Sequence, residues 1–131
     1  MPLNVRRRAW PIAVVGDGLA VLVFATIGRA SHHESTGAHG IWHTAWPFLL
    51  GAALGLAMAA AARIRPTSIQ AGVRVWVWTV VIGMVARSAT GGGTALAFVA
   101  VAVIVLGVFL VGWRLALGGR VWRSRRRDSR R

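Results

Sequence analysis

The chain has no cysteine and no lysine, and it carries only three acids in 131 residues. Without cysteine there is no disulfide framework and no thiolate nucleophile or metal ligand. Without lysine, the formal charge of +13 is carried entirely by arginine. The acids are Asp17, Glu34 and Asp128, which leaves little material for paired-carboxylate chemistry. Other signals are missing as well. There is no GxSxG elbow, no phosphate-binding loop, no dinucleotide fingerprint and no HExxH pair. No nucleophile, base and orienting group can be assembled, so the chain is read as a non-enzyme that needs no cofactor.

What it has in abundance is apolar length. Hydrophobic residues make up 56% of the chain. A helix needs about 20 mostly apolar residues to cross a hydrocarbon core of about 30 Å. Segments at Pro11–Gly28, Thr44–Ala62, Val73–Ala86 with its flanks, and Thr94–Trp113 qualify. The reading is a single all-α domain over 1–131, an up-down-up-down bundle of four transmembrane helices. Residues 1–9 and 118–131 are basic tails. Arg6–Arg8 before an apolar run resembles a signal peptide, and Gly28-Arg29-Ala30 a small-residue cleavage site. The length of the run and the interruption at Asp17 argue against cleavage.

Arginine placement sets orientation. Fourteen of the arginines fall at the two tails and the second connection, and two, Arg29 and Arg87, fall at the others. The positive-inside rule then gives both termini inside, in a multi-pass protein of the cell membrane. The same asymmetry opposes dual-topology dimers but permits parallel homo-oligomers. It also implies contact with anionic lipids at the cytoplasmic face and makes nucleic acid a poor partner.

Asp17 is the only carboxylate inside an apolar segment. An ionised group at that depth costs roughly 2.5–3.5 kcal/mol on insertion scales and needs a partner or a proton. Arg74 and Arg87 are thirteen residues apart, about 20 Å of helix, so one or both must snorkel or pair. Arg74 or Arg114 is the expected partner of Asp17. The pair is either a static packing device or a carboxylate that handles protons or ions, with Arg29 and Arg87 farther along a polar path.

The connection from Arg29 to His43 gathers His32, His33, Glu34, His39 and His43. His39 and His43 have i,i+4 spacing and share a face if the second helix extends that far. Two histidines and a carboxylate suit a divalent metal or haem, whereas a hydrated, pH-sensitive loop needs no ligand. Arg29 with Glu34 or Arg87 suits a small anion. Pro66 is expected to end the second helix, Ser68 to cap the third and Thr94 to cap the fourth. Gly51, Gly55 and Ala59 form a ridge of small residues on the second helix, and Gly83 lies on one face of the third. Such ridges mark close helix packing within or between chains. Trp10, Trp42, Trp46, Trp76 and Trp113 stand near span ends and read as interfacial anchors.

These residues together resemble one family. They are the run Asp17-Gly18-Leu19 to Gly28-Arg29, Ser31-His32-His33-Glu34, Thr44-Ala45-Trp46-Pro47-Phe48-Leu49, Val75-Trp76, Gly83-Met84, Arg87, Gly91-Gly92-Gly93-Thr94, Phe98 and Gly112-Trp113-Arg114. Over Gly16 to Arg114 the chain resembles the small prokaryotic membrane proteins catalogued as domain of unknown function 3054. The resemblance implies a four-helix integral membrane protein and carries over no catalytic residue. Three functions fit. The first is a small oligomeric transporter or channel for a proton, ion or small solute. The second is an accessory or structural subunit docking through the ridge of the second helix. The third is a metal or haem protein using His39 and His43. A continuous polar path from Asp17 to Arg87 favours the first, and a dry bundle favours the second.

Overall fold

The computed structural model describes residues 3–31, 33, 34 and 36–129. They form four helices: α1 Leu3–Ser31, α2 Ala38–Ala61, α3 Ile69–Ala89 and α4 Leu96–Asp128. All four are long and apolar enough to cross a membrane, which makes this an integral membrane protein by length and composition. The shortest, α3, has 21 residues, about 32 Å at 1.5 Å per residue. It is therefore long enough to span, although its uninterrupted apolar stretch is shorter. α1 and α4 run on through most of the basic ends. Arginine, leucine and alanine favour helix, and α4 contains no proline to stop it.

Three helices end on the same device. The amide of Glu34 reaches the carbonyl of Arg29, that of Ile64 reaches Ala59 and that of Gly92 reaches Arg87. The residue before each amide has a positive φ: His33 at 55°, Arg63 at 56° and Gly91 at 78°. These are Schellman closures, which satisfy carbonyls left orphaned at a helix end. Thus α2 ends at Ala61 with a left-handed Arg63, ahead of Pro66. Ser68 caps α3, its hydroxyl accepting from the amide of Ala71 at 3.1 Å. At α4 the expected cap is displaced. Ala95 rather than Thr94 holds that position, with no side-chain bond to the first turn.

The helices pack in a ring, each against the next and α4 back against α1. The α2–α3 interface is the most extensive and α1–α4 the sparsest. The ridge on α2 explains the first. A Cβ at Gly51 would lie 2.7 Å from the Cα of Thr79, and one at Gly55 2.7 Å from the Cα of Val75. Only a bare backbone fits there. Ala59 is fully buried on the same line, and Gly83 continues the contact from α3 by accommodating the ring of Phe48. The ridge is therefore occupied within the chain. It is not free to dock a partner, which corrects that part of the accessory reading.

Apolar side chains also point outward. Ile104 is 64% exposed and Val85 62% exposed, as expected of helices solvated by lipid. The interior is filled by Val21, Phe24, Phe48, Val75, Leu106 and Leu110. Phe24 and Phe48 meet edge to face at 5.2 Å, and Phe98 lies 6.3 Å from each.

Candidate functional site

Among the described residues the bundle holds two polar clusters, one at each end of this apolar interior. At the end carrying the α2–α3 turn, Asp17 of α1 meets Arg114 of α4. Both are 1% exposed. The pair is bidentate, with Nη1 to Oδ1 at 2.7 Å and Nη2 to Oδ2 at 2.8 Å. This fork geometry is the strongest form of carboxylate–guanidinium contact. Trp113 donates its indole N–H to Oδ1 at 3.0 Å. The rest of the guanidinium is also engaged: Nε donates to the carbonyl of Pro66 at 3.0 Å and Nη1 to that of Leu110 at 2.7 Å. Four hydrogen bonds thus leave one arginine and join α1, α4 and the α2–α3 turn. Gly72 provides the space, since a Cβ there would stand 2.8 Å from the Cδ of Arg114. The charge is desolvated but compensated on nearly every donor, the condition under which a buried pair is tolerated.

At the other end, Arg29 of α1 and Arg87 of α3 face a cavity of about 40 Å³ that Phe24, Thr44, Glu34 and Phe98 also line. A water's share of liquid volume is about 30 Å³, so the space suits one molecule of that size. Arg29 donates to the hydroxyl of Thr44 at 3.2 Å and pairs with Glu34 at 2.9 Å. The closure at the end of α1 brings Glu34 back over Arg29, because the same turn bonds their backbones. Arg87 donates from Nε to the carbonyl of Gly93 at 2.8 Å and lies 4.4 Å over the Phe98 ring. Both arginines stand in the last turns of their helices, where the helix dipole favours cations.

The five charges singled out from the sequence divide three ways. Asp17 and Arg114 are buried together. Arg29 and Arg87 are partly buried and share the small cavity. Arg74 is exposed and is not a buried charge. Its neighbour Val75 takes the inward position, and one residue along a helix turns the next side chain about 100° away. Of the four histidines between Arg29 and Thr44, His32 lies outside the described residues. His33 is exposed. His39 and His43 are exposed on the first turns of α2, their rings 6.5 Å apart. No group of three or more metal-ligating side chains comes together among the described residues.

Sequence reasoning passed over several participants. Trp113 read as an interfacial anchor, yet it packs over Gly16 and binds Asp17. Trp76 likewise packs over Gly107 and donates to the carbonyl of Val103 at 2.9 Å. The Pro66 carbonyl, Gly72 and the cavity-lining role of Thr44 were not anticipated. Immediate adjacency of Trp113 to Arg114 was the one available signal.

Residues 14–117 match the family model described as Protein of unknown function (DUF3054). No curated protein and no solved structure matches the chain.

Proposed function

The chain belongs to that family, whose description assigns no activity, and we propose that it serves as a non-catalytic accessory or structural subunit of a membrane complex. It sits as an up-down-up-down bundle in the cell membrane with both termini in the cytoplasm, as the distribution of arginines argues. The observation that carries the functional reading is the saturation of Asp17. A carboxylate that shuttles protons or ions must exchange partners during its cycle. This one is held by two guanidinium bonds and an indole. Between it and the Arg29–Arg87 cavity lie Val21, Phe24, Val75 and Leu106, all buried. Among the described residues, the single chain therefore offers no continuous polar route from one cluster to the other: the hydroxyl of buried Thr79 is spent on the carbonyl of Val75 in its own helix.

One observation favours a second reading, transport of a small solute or ion. Arg29 and Arg87 share a space that a small anion could enter, and an oligomer could extend it. Reconstitution separates the two. Liposomes containing the purified chain should carry proton, potassium and chloride fluxes no greater than protein-free vesicles. In native membranes, mild-detergent extraction should yield an assembly that contains chains besides this one. Flux that disappears with Arg87→Gln while the fold survives would establish transport instead.

A further inference from the structure

We propose that the groove between α1 and α4 is a binding site for an anionic phospholipid, with an acyl chain along the groove and the phosphate against Arg120. The groove is a broad, open furrow of about 590 Å³. Ile12, Leu19 and Val23 of α1 form one wall, and Val108 and Leu117 of α4 form the other. Among the described residues, Arg120 is the only charged one on it and lies at one end. From Val108 to Arg120 is about 18 Å of helix, a substantial fraction of one leaflet-spanning chain. The shape is fixed rather than slack. Trp113 forms part of the floor over Gly16, with an indole carbon 3.3 Å from where a Cβ would be. Its N–H is tied to Asp17, so the ring cannot swing out to fill the groove.

Charge selects the occupant. Arg120 also belongs to a second recess of about 390 Å³, shared with Arg123, Ser124, Arg126 and Arg127. The apolar groove thus leads directly into a concentration of guanidiniums, the arrangement that matches a lipid tail joined to a phosphate. A second copy of the chain fits worse. Asp17 is enclosed and Glu34 is paired at the other end of the bundle. A neighbouring α4 would bring five arginines between Arg120 and Arg127 against one acid, Asp128.

The proposal rests on the membrane-spanning reading, which alkaline carbonate extraction of the native membrane tests by itself: a chain released by carbonate fails that reading first. The site is tested on the purified full chain by native mass spectrometry, with dioleoylphosphatidylglycerol and dioleoylphosphatidylcholine titrated separately. The wild type should retain phosphatidylglycerol more tightly. Arg120→Gln should weaken it about fivefold, the equivalent of one interfacial arginine, and leave phosphatidylcholine unchanged. Ala116→Trp, which fills the groove without altering charge, should remove one bound lipid of either kind. Arg125 is absent from both recesses, so Arg125→Gln should change phosphatidylglycerol retention by less than twofold. Circular dichroism and thermal unfolding verify that each variant is folded. Equal losses in Arg120→Gln and Arg125→Gln would replace the site with diffuse attraction to the basic helix. Unchanged retention in folded Ala116→Trp, or an intermolecular cross-link between a Leu19→Cys chain and a Leu117→Cys chain, would overturn the proposal.

Discussion

A buried guanidinium with four acceptors is a commitment that a single substitution exposes. Asp17→Asn keeps the shape of the acceptor but removes its charge, leaving Arg114 enclosed without compensation. Breaking a buried pair from one side costs about 3–5 kcal/mol, so thermal unfolding in detergent should shift down by many degrees. Asp17→Asn combined with Arg114→Met should recover part of that loss, since no uncompensated charge remains. Strict additivity of the two single variants would mean that the contact contributes no coupling. Trp113→Phe should cost less than Asp17→Asn, because both arginine bonds survive and one hydrogen bond to a charged acceptor contributes about 1.5–3 kcal/mol. The importance of Asp17 was legible from its isolation in an apolar run. The choice of Arg114 over Arg74 was not, because it depends on which helix face turns inward. Backbone acceptors such as the Pro66 carbonyl carry no residue-type signal at all.

Helix identity followed from apolar length, and the close α2–α3 packing followed from residues spaced by four. Whether that ridge served a neighbouring helix or another chain was beyond the pattern, because both uses require the same small residues. The contact of Gly51 and Gly55 with the α3 backbone now makes a graded expectation possible. Gly51→Leu and Gly55→Leu must each force the helices apart, as the first added carbon already stands 2.7 Å from a Cα. Leu54 lies on the same helix but is 37% exposed, so Leu54→Ala should be nearly silent. Scanning calorimetry or a light-scattering melt in one detergent gives the comparison, and equal tolerance at all three positions would contradict the packing. Helix ends were less legible. Ser68 announced itself by residue type, whereas Arg63 takes a left-handed conformation usually given to glycine. Thr94 carried the right chemistry one residue too early.

At the scale of the whole molecule, the distribution of charge points in one direction. Sixteen arginines against three acids leave no balanced set of flanks, so the chain should insert in one orientation. Fusions of a cytoplasm-active and an exterior-active reporter at Met1, His39, Thr67 and Arg131 check this. Met1, Thr67 and Arg131 should report the cytoplasm and His39 the exterior. The structure adds a reason for Thr67 to be the decisive position. The turn that contains it is pinned by Arg114 through the Pro66 carbonyl, so it belongs to the same end as Asp17 and the start of the basic α4 extension. Moving that end across the bilayer would carry Arg120, Arg123 and Arg125–Arg127 with it, each arginine at the helix centre costing about 2.5–3.5 kcal/mol on insertion scales. Neutralising these five together, without touching Arg114, should therefore weaken the orientation while preserving the fold. An exterior signal at Thr67 in the unaltered chain would reverse the topology. It would also place the phosphate-binding end of the α1–α4 groove against the opposite leaflet.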